Sequence, residues 1–142
     1  MIKVRDMQES DIEFAKSLTD VEEWGNSIED WQRLLRISIP LIAHDGKELL
    51  GVTTAFDYGK LGMIGNVVVS SECRGKGVGQ ALLKESMKRL ESCKSVRVHS
   101  KMDVVSFYSS LGFIPEGMST VFRLDGDMKS FQPFVIDSDE NI

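Results

Sequence analysis

Between Cys73 and Gln80 the chain reads Arg74-Gly75-Lys76-Gly77-Val78-Gly79, three glycines and two cations in six residues. Such a run between a strand and a helix can hold a phosphate. Amides at a helix start lack intrahelical partners and carry partial positive charge, glycines let the backbone approach an anion, and Arg74 and Lys76 add charge. A magnesium-nucleotide loop needs Ser or Thr after its Gly-Lys pair, and Gly77 stands there. A dinucleotide fingerprint needs a third glycine where Gln80 stands, and an acidic residue about 20 positions on, where the strand offers Arg97 and His99. Both nucleotide readings lack side chains that their chemistry requires.

A third reading fits. Arg74, Gly77 and Gly79, followed by Ala81-Leu82-Leu83, match a pattern Arg/Gln-x-x-Gly-x-Gly/Ala placed after a bulged strand. Downstream, Asp103-Val104-Val105-Ser106-Phe107-Tyr108-Ser109-Ser110-Leu111-Gly112-Phe113 parallels a second pattern, an Asn and an Ala ahead of Phe-Tyr-x-x-Leu-Gly-Phe. In this pair of motifs, in this order, the chain resembles the GCN5-related N-acetyltransferases (GNAT). The resemblance runs from Ile2 to about Leu124. It implies an α/β (α+β) GNAT fold, with a mixed central sheet of about six to seven strands flanked by helices on both faces. It further implies an acetyl-CoA-dependent N-acetyltransferase acting on a primary amine of a small molecule or protein, with coenzyme A as product. A catalytically weak acetyl-CoA sensor or regulatory module is the alternative.

Site residues follow from the resemblance. Main-chain groups of Val67, Val68 and Val69 would pair with the pantetheine arm as an added strand does. Amides from Gly75 through Lys76, Gly77, Val78 and Gly79 to Gln80 would hold the pyrophosphate. A backbone amide near Val68 would polarise the thioester carbonyl. Tyr108 corresponds to the tyrosine that protonates the departing thiolate, since a phenol of pKa near 10 is a donor at neutral pH. Its place on an apolar helix also allows a packing role. Asp103 replaces the usual asparagine and Ser106 the usual alanine. A carboxylate at 103 cannot donate to the cofactor arm but can cap a helix, and Ser106 keeps room beside the cofactor.

The base is open. An alkylammonium of pKa near 10 is about one part per thousand neutral at pH 7, so a base or water relay matters. Met63-Ile64-Gly65-Asn66 carries no carboxylate where many relatives place a glutamate. Asn66 can orient a water, and His99 can act through one; Glu72 and Asp57 are further candidates. Against that, a histidine at a strand end is often simply hydrogen-bonded in place. For the acceptor, Trp24 and Tyr58 are the expected walls, with Trp31 on an apolar stripe and so assigned to the core. Cys73 has no paired base and reads as an ordinary thiol.

These residues need elements to position them. Ile2 to Arg5 alternates as a strand, Ser10-Asp11-Ile12-Glu13 opens a helix reaching about Trp24, and Ser27 caps a second with Ile28, Trp31, Leu34 and Leu35 on one face. Leu41–His44, Leu49–Tyr58 and Met63–Val69, joined by Asp45-Gly46 and Gly59 turns, make an antiparallel meander. The glycine loop leads into a long helix and then the strand Val96–His99, a crossover with parallel strands. Ser100 caps a last helix that Gly112 ends. Phe113-Ile114 and Val121–Leu124 are expected to close the sheet, giving a domain over residues 1–125 and a tail over 126–142.

Composition sets the outer bounds. The 142 residues fit one domain, 42% hydrophobic and 27% charged. A net charge of −5 argues against a nucleic-acid partner and suits a cationic one. No stretch approaches a membrane span, and the charged Lys3 and Arg5 do not suit a signal peptide. Cys73 and Cys93 form neither a disulfide framework nor a metal set, so a cytoplasmic protein without metal is expected. Oligomeric state is open, homodimers being common in the family.

Overall fold

The structure, a computed structural model, describes residues 1–122. Its elements run β1 (Lys3–Asp6), α1 (Ile12–Val21), α2 (Ile28–Ile37), β2 (Ile39–His44), β3 (Leu49–Asp57), β4 (Leu61–Val69), α3 (Val78–Arg89), β5 (Ser95–Val98) and α4 (Val105–Ser110). The strands form one sheet in the order β1-β2-β3-β4-β5. All neighbours are antiparallel except β4 and β5, which run parallel because α3 carries the chain back across the sheet.

Each face of the sheet is covered for a reason visible in the sequence. Side chains alternate along a strand, so Ile42, Val52 and Val68 share one face and meet Ile12, Ala15 and Leu18 of α1 and Trp31 of α2. On the opposite face, Leu41, Ala43 and Leu50 meet Val78 and Leu82 of α3, while Ala55 and Ile64 meet Leu83, Leu90 and Tyr108. Gly51 lets α3 seat closely: a β-carbon there would lie 2.9 Å from the Val68 carbonyl oxygen and 3.2 Å from side-chain atoms of Val78 and Leu82. Leu82 is fully buried, and truncating it to Ala should cost about 2–5 kcal/mol.

Local signals explain the helix ends. Ser27 and Asp30 form a reciprocal cap on α2, with Asp30 N–H donating to Ser27 Oγ at 3.0 Å and Ser27 N–H to Asp30 Oδ2 at 2.9 Å. At α1 the expected box is displaced. Ser10 lies within a 3-10 turn (Glu9–Asp11), and the anchoring carboxylate is Asp11, which accepts Gln8 N–H at 2.8 Å and both Nη atoms of Arg5 at 2.7 and 3.0 Å. Helix α1 stops at Val21, before Trp24. Glu23 is left-handed (φ 58°), Glu23 N–H donates to the Asp20 carbonyl, and Trp24 N–H reaches the Thr19 carbonyl at 3.1 Å.

Two expectations are corrected. The described residues hold five strands, fewer than six to seven. Phe113-Ile114 is not a strand, because Phe113 N–H donates at 3.1 Å to the Tyr108 carbonyl and completes the turn that ends α4. Ile114 is left 88% exposed, and Pro115 has no N–H for a ladder. Val121 and Phe122 are likewise irregular and exposed, while Arg123, Leu124 and the tail over 126–142 lie outside the described residues. No helix among the described residues is long and apolar enough to cross a membrane.

Candidate functional site

The site begins where two parallel strands part. Strands β4 and β5 pair from Leu61–Ser95 to Ile64–Val98. There β5 stops while β4 continues through Gly65 to Val69. At the parting point β4 carries an extra residue: its register against β3 passes from Thr54–Gly65 to Val52–Val68, two positions against three. Asn66 absorbs the bulge in a left-handed conformation (φ 53°), and its side-chain amide donates to Thr54 Oγ1 at 3.5 Å. Bulges bend a strand and redirect its backbone groups. The result is a V-shaped cleft of about 630 Å³ with Gly65 to Val69 on one wall and Val98 to Lys101 on the other.

The glycine loop closes one end. Gly75 and Gly77 hold φ values of 78° and 89°, the left-handed region that glycine enters without a β-carbon penalty. Gly77 caps α3, its carbonyl accepting Ala81 N–H at 3.0 Å, so the first-turn amides at Val78, Gly79 and Gln80 face outward without helical partners. Gly79 packs against α4. A β-carbon there would lie 3.2 Å from Phe107 Cζ, so the two sequence motifs meet in space. Arg74 Nε donates to the Val69 carbonyl at 3.3 Å, which ties the loop to the strand it follows.

Tyr108 forms the inner wall. It is 9% exposed, set edge-on to Phe107 at 5.2 Å and to Phe113 at 6.0 Å between centroids. Burial pushes its phenol above the ordinary tyrosine value, because the phenolate would lose solvation. The side chain is therefore an O–H donor throughout the neutral range.

Of the sequence-expected residues, the cleft is lined by Val67, Val68, Val69, Arg74, Gly75, Gly77, Val78, Gly79, Gln80, His99, Asp103, Tyr108 and Trp24. Lys76 and Ser106 are exposed and outside that lining. Asp103 sits inside a 3-10 turn (Met102–Val104) without capping a helix through its side chain. Tyr58 is not among the lining residues; it is 64% exposed and stacked on Phe56 at 6.0 Å. Trp31 is fully buried, as its stripe implies. Asp57 is engaged at the other end of β3, accepting Gly59 N–H at 2.8 Å.

The cleft also contains residues that sequence reasoning passed over. Glu22, at the end of α1, places Oε1 3.1 Å from Arg74 Nη2 and Oε2 3.1 Å from Lys101 Nζ. Lys101 Nζ lies 5.7 Å from the centre of the Trp24 ring. The Lys101 hydrogen bond, with Arg74 adding to it, holds the Glu22 carboxyl below its usual value. These partners are 52 and 79 residues apart in sequence, so no local spacing announces them. Only the position of Glu22 two residues before Trp24 gave a hint.

The cleft thus combines a parted parallel strand pair, a bulge at the parting point and a glycine-capped helix. The chain matches the family model described as the acetyltransferase (GNAT) domain over residues 4–124, and it belongs to that family. It is 39% identical over 70 residues to Protein ElaA of Escherichia coli strain K12, a match covering 45% of this chain and 42% of that relative. Its fold is shared with glucosamine-6-phosphate N-acetyltransferase from Arabidopsis thaliana (TM-score 0.74, 18% identity, 88% of this chain and 99% of the other). It is shared too with the Rv2747 protein of Mycobacterium tuberculosis, solved in complex with CoA (TM-score 0.72, 18% identity, 84% and 76% covered).

Proposed function

We propose that the chain is an acetyl-CoA-dependent N-acetyltransferase that moves an acetyl group to a primary amine of a small molecule or protein. The observation that carries this is the continuity of the β4 edge that β5 leaves open, from Gly65 to Val69, into the glycine loop at the start of α3. That path offers edge hydrogen bonds first and phosphate-binding amides next, the order of groups along coenzyme A.

The residues present fit the cofactor. Val67 to Val69 would hold the pantetheine arm by main-chain pairing, and the amides from Gly75 to Gln80 would hold the pyrophosphate. Bound acetyl-CoA supplies an activated thioester. Around it, the Val68 amide region polarises a carbonyl oxygen, Tyr108 holds a proton for a departing thiolate, and Val98 and Phe107 exclude water from the inner wall. His99, on the β5 side, takes up the amine proton through water. The test is release of free thiol when acetyl-CoA is mixed with a panel of primary amines. Release that depends on the amine supports transfer; saturable binding without release on any amine favours the second reading, an acetyl-CoA-binding sensor. That second reading is favoured by one observation, the absence of a carboxylate from Leu61 to Val69.

A further inference from the structure

Glu23 is one of two described non-glycine residues with positive φ, and its neighbours on both sides line the cleft. A non-glycine residue in this region is strained, and strain persists where surrounding structure fixes it. The two hydrogen bonds that close α1 do so here, from Glu23 N–H to Asp20 and from Trp24 N–H to Thr19. They commit Glu22 and Trp24 to the same mouth of the cleft. Arg74 then takes one oxygen of Glu22 and Lys101 the other.

The two partners of Glu22 are not equivalent. Arg74 is also tied to the Val69 carbonyl and keeps the carboxylate from swinging away. The Lys101 side chain is 58% exposed, and its ammonium sits against both the carboxylate and the face of Trp24. A carboxylate beside an aromatic face is the chemistry that recognises an alkylammonium. An ion pair to so exposed a lysine is weak and easily exchanged. Asp103, the other carboxylate on the cleft wall, is exposed and forms no ion pair among the described residues.

We infer that Glu22 and Trp24 form the acceptor's ammonium site, that the acceptor is a primary alkylammonium on a flexible chain, and that Lys101 fills the site as a stand-in until the acceptor displaces it. This rests on the N-acetyltransferase reading above and narrows its substrate class. The site as described holds the end of a lysine side chain, so a lysine-bearing peptide and a polyamine present the same group.

The experiment is calorimetric titration of the full chain, in the presence of CoA, with N-α-acetyl-lysine methylamide, with spermidine, and with the uncharged norleucine analogue as control. The expected result is binding of at least one charged probe and none of the control; the tighter probe identifies the source. Glu22→Gln should weaken that binding about tenfold or more, the loss of a charged hydrogen bond. Lys101→Met should tighten it about twofold to fivefold, because the fraction of open sites rises when the competitor is removed. Equal binding of the control, an unchanged affinity in Glu22→Gln, or weaker binding in Lys101→Met overturns the inference. Thiol release from acetyl-CoA separates the two readings. Turnover on some amine without ammonium binding defeats this inference alone, whereas ammonium binding without turnover on any amine defeats the transferase reading alone.

Discussion

Gly79 and Phe107 face each other across the interface between α3 and α4, with space for a hydrogen but for a methyl only if the ring gives way slightly: a β-carbon on residue 79 would approach Phe107 Cζ to 3.2 Å. Gly79 therefore has two duties. It keeps the backbone open at the helix start, and it lets α4 bring Tyr108 against the cleft. Its conformation is ordinary helix, so the constraint is steric and not one of backbone angle.

Graded substitution at this position should show that. In Gly79→Ala the ring end can shift by a few tenths of an ångström, and helix propensity returns about 1 kcal/mol, so net stability should change by less than about 1 kcal/mol. Gly79→Val should cost about 1–3 kcal/mol by overpacking and should weaken CoA binding as α4 is pushed outward. Adding Phe107→Leu should recover part of both losses. Thermal denaturation and CoA titration of the series check this, and equal behaviour of Ala and Val would contradict it.

Tyr108→Phe removes only an oxygen from an apolar wall. Fold and CoA affinity should hold, while turnover on the best amine falls about tenfold to a thousandfold. Because burial raises the phenol, any loss of activity from its ionisation should begin only above the ordinary value near 10. That alkaline limb should vanish in the variant. An unaltered rate would remove Tyr108 from the chemistry.

The Arg5–Asp11 pair supplies a pH-dependent part of stability. Asp11 is 4% exposed, and the Arg5 hydrogen bonds, with Gln8 N–H adding to them, hold its carboxyl below the usual value. A carboxyl lowered by folding contributes fully above its unfolded value near 3.9, and the contribution fades as pH falls through the lower folded value. Asp11→Asn should therefore destabilise the protein by about 1–2 kcal/mol at pH 7, because it removes the charge from a part-buried two-pronged hydrogen bond to an Arg5 that water still reaches. The difference from wild type should shrink below pH 4. Urea denaturation at pH 7 and pH 3 measures both.

Much of this arrangement was legible in local pattern. The glycine loop, the β4-α3-β5 crossover and the Ser27 cap each depend on a few adjacent residues, whose backbone preferences suffice to fix the element. The Phe107-Tyr108 block faces inward from α4, as its helical apolar spacing implies. What failed depended on where a chain end finds partners. Phe113 has strand composition, but its amide completes the α4 turn, so no ladder starts there. Glu22 was missed because its meaning comes from Arg74 and Lys101, which only the tertiary fold brings to it.

The central claim is that the parted strands and the glycine loop together hold coenzyme A, and a crystal structure of the chain with CoA tests it most directly. The expected result is pantetheine paired along Val67 to Val69 and pyrophosphate on the amides from Gly75 to Gln80, with the sulfur within reach of the Tyr108 hydroxyl. CoA bound elsewhere, or a pyrophosphate that makes no contact with the loop, would contradict it.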